Sequence, residues 1–282
     1  MRAALSVLLA FVASSLYAVS TSTQALDARE TPRSTALRAS LIVRLLRRPR
    51  WLLGTAAGAV AWPVQLAALS LGSVALVQPA LGFGLVVLLV LGAAMLHERV
   101  TPRDATGVVA IAAAVGVLGW AAPADTGGFG ARATWVVGLS LAVIGPGPYL
   151  LRAAGRDGGL ATSIGAGLGW AWVGLGSSLV DDALAARHWL GALLWALGVA
   201  VASWAALLAE MTALQAWPAT RAIPIAFGLE MLLPAALAPL LTTARPPHAA
   251  AFGLALAAAA AGVAVLGTSR AVAHAAHPLP AS

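Results

Sequence analysis

Long unbroken apolar runs recur along the whole chain, and they leave little choice of fold. They fall at roughly 3–22, 51–71, 74–96, 105–122, 134–152, 159–180, 189–209, 218–241 and 249–268. A helix needs about 20 mostly apolar residues to cross roughly 30 Å of hydrocarbon. The runs are continuous rather than alternating, which excludes a β-barrel, and they are not amphipathic, which excludes a soluble bundle. The expected class is an all-α integral membrane protein with about nine transmembrane helices.

Composition agrees. Of the 282 residues, 60% are hydrophobic and 10% charged, where a soluble domain carries about 25% charged residues. Mean hydropathy is +0.89. A disordered chain, a nucleic-acid-binding domain and an ordinary cytosolic enzyme are thereby excluded. The net charge of +7 comes from 17 basic residues, all of them Arg. They lie between the apolar runs, so they read as topology signals rather than a nucleic-acid surface. No nucleic-acid partner is expected; the partners are the lipid bilayer and a small ion or metabolite, and a homodimer is compatible with the sequence. The absence of Cys excludes disulfides, thiolate metal sites and Cys nucleophiles.

Arginine placement orients the chain. The segments after the first, third, fifth, seventh and ninth runs hold 12 Arg, the other side holds 4, and Arg221 sits at a run end. The first side is then cytoplasmic, in the cell (inner) membrane, with the N-terminus outside and the C-terminus inside. Trp51, Trp120, Trp135, Trp189 and Trp217 fall near run ends, where indoles favour the interface. The first run reads as a span, or as a signal peptide with a cleavage site near Tyr17-Ala18. Ser14, Ser15, Ser20, Thr21, Ser22 and Thr23 suit a helix lining a wet cavity, or bond back to their own helix. In the basic loop 23–50, Leu37, Leu41, Leu45 and Leu46 share a helical face among arginines. The expectation is a short helix lying on the inner leaflet.

Two stretches align at an offset of 145, ALSLGSVALVQPALGFG from Ala68 and ALQAWPATRAIPIAFGL from Ala213. The alignment pairs Leu69 with Leu214, Pro79 with Pro224, Gln65 with Glu210 and Pro102 with Pro247. An odd linker span inverts the second unit in the membrane, giving a 4+1+4 inverted repeat. The units are 1–122 (spans one to four), linker span 134–152, 159–268 (spans six to nine) and a flexible cytoplasmic tail 269–282.

The stretch SVALVQPALGFGLVVLLVLGAAMLHERVTPRDATGVVAIAAAVGVL, Ser73 to Leu118, resembles the repeat core of the drug/metabolite transporter superfamily. There a long helix ends in a Gly/Asn-Glu-Arg cytoplasmic turn, read here as His97-Glu98-Arg99. The polar first helix (VASSLYAVSTSTQAL), the missing second helix of the usual ten, and AEMTALQAWPATRAIPIAFGLEMLLP are most similar to the NIPA-type magnesium-transporter branch and its bacterial NIPA-like and EamA-like members. The likeness covers about Leu5 to Gly267. It implies a transporter fold and, as substrate, magnesium or another divalent cation. The second-half turn, Leu241-Thr242-Thr243-Ala244, lacks the Glu-Arg pair, and Arg221 stands where small residues are usual.

Several residues carry chemistry in this reading. Glu230 lies mid-span, where a carboxylate costs about 2.5–3.5 kcal/mol to insert. Such a group faces a cavity, a partner or a proton path, or is a protonated structural acid. Glu210 and Arg221 flank the turn between spans seven and eight and are placed to form a salt bridge. Gln65 and Gln78 either contact substrate or bridge helices. Pro79 and Pro224 each free a backbone carbonyl by kinking a helix. Asp181 and Asp182 form an outer acidic pair that draws a hydrated cation or is simply solvated. Gly165 and Gly169 have the spacing of close helix packing. His274 and His277 have helical metal spacing but no third ligand in view, and the metal site, if any, is unknown. Glu98 and Arg99 are expected to tie their turn together.

The leading expectation is a secondary transporter working by alternating access, with a small-metabolite or drug exporter as runner-up. No ATP-binding motif or other cofactor signature is present. A membrane enzyme is disfavoured because no nucleophile joins His97, Glu98 and Arg99. A non-transporting membrane partner is the third alternative.

Overall fold

Within a hydrocarbon surrounding a helix satisfies all its own backbone groups, and every regular element among the described residues is helical. A computed structural model describes residues 2–71, 80–121, 131–241 and 247–268. Helix α1 runs Arg2–Arg29, followed by a 3-10 turn at Arg33–Thr35, α2 at Ala39–Leu45 and α3 at Pro49–Leu71. Then come α4 (Gly84–Met95), α5 (Pro102–Ala121), α6 (Ala131–Ile144) and α7 (Gly147–Ala153). The remainder is α8 (Gly159–Ala185), α9 (Trp189–Ala216), α10 (Ala219–Leu241) and α11 (Ala249–Thr268).

Five stretches are long and apolar enough to cross a membrane: Ala4–Arg29, Thr134–Ala153, Gly159–Leu184, Trp189–Ala216 and Ala249–Leu266. The described part of the third sequence run is an apolar helix, Ala80–Met95. The second, fourth and eighth runs are helical as α3, α5 and α10 and are not among these five stretches. Span five is not one rod: Gly145-Pro146 interrupts it between α6 and α7, because Pro lacks an N–H and crowds the preceding turn.

Local chemistry sets the helix ends. Trp217 is extended, at φ −128 and ψ 157, because a following Pro disfavours the helical region. Pro218 therefore ends α9 and starts α10 within two residues. At α5, Thr101 and Asp104 form a reciprocal capping box. Thr101 N donates to Asp104 Oδ2 at 3.1 Å, and Asp104 N donates to Thr101 Oγ1 at 3.2 Å.

Small residues let the helices approach. α1 packs on α3 and α4, α8 on α9 and α10, and α5 on α11. A Cβ on Gly54 would sit 2.9 Å from the Ser20 carbonyl oxygen, and one on Gly169 would sit 2.7 Å from Ala206 Cβ. Gly107 and Gly262 meet reciprocally, each facing the other's carbonyl oxygen across α5 and α11. Outward faces of α6 and α9 carry exposed Trp135, Leu139, Val143, Leu190, Leu193 and Leu194, which suits a hydrocarbon surrounding.

The largest buried cluster knits the end of α1, the 31–46 segment, the end of α9 and the start of α10, through Leu37, Leu41, Leu45, Leu208, Met211 and Leu214. This corrects two expectations. The α2 face does not lie on a leaflet: Leu37, Leu41 and Leu45 are fully buried against protein, and Leu46 points outward. Trp51 is 3% exposed rather than interfacial, and its indole donates to Met211 Sδ at 3.4 Å. Trp120, Trp135 and Trp189 are exposed. α1 also continues to Arg29, so the basic connection begins at Glu30, later than residue 23.

Candidate functional site

α9 and α10 meet at the Trp217-Pro218 turn. Glu210 stands 7 residues before Trp217 and Glu230 lies 11 residues after Ala219, or about 10 Å and about 16 Å along the two helices. Both acids therefore sit inside apolar helices, close enough for their charges to act on one another. The Trp170 indole of α8 donates to Glu210 Oε2 at 2.7 Å. The Tyr17 hydroxyl of α1 donates to Gln65 Oε1 of α3 at 3.0 Å. Glu230 acts electrostatically on Tyr17 as well. α1, α3, α8, α9 and α10 thus each supply one polar group to this neighbourhood.

The two acids differ in their restraint. Glu210 is oriented by an indole donor, whereas Glu230 has no hydrogen-bond partner among the described residues. Neither forms an ion pair there. Glu230 and Glu210 are therefore acidic groups whose charge a proton or a cation can balance. Three or more His, Asp or Glu residues do not gather anywhere among the described residues. A magnesium ion here would keep most of its water.

Arg221 is not the partner of Glu210, contrary to expectation. Its Nε donates to the Leu266 carbonyl of α11, its guanidinium lies 4.1 Å over the Trp217 ring, and Asp104 acts on it electrostatically. It braces α10 against α11 and α5.

Glu98 holds a position that its sequence context hides. It accepts from the backbone N–H groups of Ala219 at 2.6 Å and Thr220 at 3.0 Å, and from the Thr220 hydroxyl. It also pairs with Arg29 at the end of α1. These N–H groups have no partner within α10, and an anion there is favoured by the helix dipole. Gly92 makes the space, since a Cβ there would lie 2.2 Å from Thr220 Cγ2. Arg99 is exposed and plays no part in the tie. The available signal was indirect: α10 follows Pro218 with no Ser, Thr, Asp or Asn at its N-cap position, so its cap comes from elsewhere.

The 31–46 segment covers the same end of the bundle. Leu37 N donates to Thr212 Oγ1 at 2.9 Å. Gln215 Nε2 donates to Thr31 Oγ1 at 2.8 Å. Arg152 donates to the Ala36 carbonyl. Leu37 takes a left-handed φ of 51, held by its buried side chain. Arg48 turns back to Glu30 and Asp27, and these carboxylates, Glu30 foremost, raise its pKa above the ordinary guanidinium value.

The other expected residues are placed as follows. Gln78, Pro79, His274 and His277 lie outside the described residues. Pro224 is buried within a continuous α10, and Asp181 and Asp182 lie near the end of α8, with Asp182 exposed. Gly165 and Gly169 face Ala209 and Ala206 of α9, as close packing requires. Of the α1 hydroxyls, Ser14 bonds back to Phe11 O and Thr23 to Val19 O of their own helix, and Ser22 Oγ is buried without a hydrogen-bond partner among the described residues. A cavity of about 100 Å³ between α6, α8 and α10 is lined by apolar residues including Val137, Leu168, Trp172 and Leu233, and neither acid borders it. Comparison with family models, curated proteins and solved structures gives no match.

Proposed function

We propose that this protein is a membrane-embedded secondary transporter in which Glu210 and Glu230 carry a cation or a proton. The observation that carries the reading is the pair itself: two interacting acids inside apolar helices, without a basic partner among the described residues. Leaving such charge in a membrane interior is costly, and reversible loading by a positive ion offsets that cost.

The nine-span inverted repeat belongs to the same proposal. Its support is the way each half is built. Gln65 and Glu210, mates in the sequence repeat, each accept from an aromatic donor on the first helix of their own half. α1 packs on α3 and α4 as α8 packs on α9 and α10. α5 and α11 have 20 residues each and pack together. Under the arginine-based orientation, Glu98 and the 31–46 segment close the cytoplasmic end, and alternating access requires that end to open.

Magnesium is the favoured substrate, since two carboxylates plus retained water match its habits, and the resemblance to NIPA-type transporters points the same way. The exporter reading is favoured by one feature: the Trp170 indole and Tyr17 phenol offer ring surface beside the acids, which suits an organic cation.

The test is flux of magnesium into proteoliposomes loaded with a trapped dye, with Glu230→Gln beside wild type. Flux lost in the variant supports the cation reading. Folded wild-type protein that moves no divalent ion sinks the magnesium version, and an organic-cation screen then decides for or against the exporter.

A further inference from the structure

The arginines around α2 fall into two groups. Arg29, Arg48 and Arg50 are paired with acids: Arg29 with Glu98, Arg48 with Asp27 and Glu30, and Arg50 with the exposed Glu30. Arg38, Arg44 and Arg47 are exposed, and their guanidinium groups make no ion pair or hydrogen bond among the described residues. Beside them Val43, Leu46 and, at the start of α3, Leu53 are also exposed, Leu53 by 69%.

We propose that this outward face, Arg38 to Arg47, is a docking surface for anionic phospholipid headgroups. It rests on the chain being membrane-embedded, not on its transporting anything. Guanidinium groups bind phosphate through paired N–H donors, and basic residues beside a membrane are drawn to an anionic leaflet. The aliphatic side chains among them match the acyl boundary just below the headgroups. Burial of Leu41 and Leu45 and the Leu37–Thr212 bond hold the segment in place, so the guanidinium groups are presented on an ordered backbone. Thr212 and Gln215 lie two and five residues from Glu210 on α9, so a bound lipid steadies the helix that carries an acid of the candidate site.

The experiment uses the full chain in neutral detergent, titrated with phosphatidylglycerol or phosphatidylcholine and read by native mass spectrometry. Wild type is expected to retain phosphatidylglycerol in preference. The triple variant Arg38→Gln, Arg44→Gln, Arg47→Gln is expected to lose about 100-fold in that affinity, at about fivefold per arginine. The control Arg99→Gln, Arg156→Gln removes exposed charge elsewhere and is expected to bind as wild type. Arg44→Gln alone, with a fivefold loss, gives the same reading should the triple variant aggregate. No headgroup preference, or an equal loss in the control, overturns the proposal. A chain that stays dispersed without detergent overturns instead the membrane reading beneath it.

Discussion

Trp170 holds Glu210 through a 2.7 Å hydrogen bond between α8 and α9, so this acid is aimed by a neighbouring helix, whereas Glu230 has no such donor among the described residues. Trp170→Phe keeps the ring and removes the donor. A hydrogen bond to a charged group is worth about 1.5–3 kcal/mol, so substrate affinity in the flux assay is expected to fall by about tenfold or more. Thermal stability in detergent is expected to fall as well, because the acid loses its donor among the described residues. Equal affinity in the variant would mean that the indole packs without orienting.

Removing the Glu98 carboxylate strips Ala219 and Thr220 of their acceptor and leaves Arg29 without its partner. The side chain is 3% exposed, so Glu98→Ala is expected to cost about 3 kcal/mol, read as a clear fall in melting temperature. Arg99→Ala, at an exposed neighbour, should leave that temperature unchanged.

Close packing between α8 and α10 depends on Gly167. A Cβ there would lie 2.6 Å from the Ala226 carbonyl oxygen and 2.7 Å from Leu229 Cβ. Gly167→Ala is expected to destabilise by about 1–3 kcal/mol. Gly174→Ala on the same helix meets open space and should be neutral or slightly stabilising, because Ala favours the helix. Thermal unfolding of the two variants side by side checks the contrast.

Trypsin offers a direct reading of the 31–46 segment. Gln215→Leu removes its bonds to Thr31 and Thr35, and cleavage after Arg33 or Arg38 is expected to speed several-fold as local opening becomes easier. Cleavage after Arg156, which lies on another connection, should keep its wild-type rate.

Much of this was legible along the chain, and the failures share one cause. Apolar runs locate helices well, because length and hydropathy are local properties. Glu230 stands out because a carboxylate inside such a run is expensive. Glu98 does not, since its acceptor role is settled by Ala219, 121 residues away. Trp170 looks like any core aromatic until its indole is seen on Glu210. The α2 face was visible as Leu37, Leu41 and Leu45, but what covers it was not, because a leucine is equally well removed from water by lipid or by a neighbouring helix.

That cover arrives late. Leu37 and its partner Thr212 are separated by 175 residues, and at roughly 5–20 residues per second the ribosome needs about 10–35 s to make the distance. For that interval the finished 31–46 segment has no α9 to receive its leucines, and Leu37, Leu41 and Leu45 lack their cover. Docking onto α9 then becomes a late step of assembly, which leaves the segment open to capture by lipid or protease in any chain whose second half is slow or truncated.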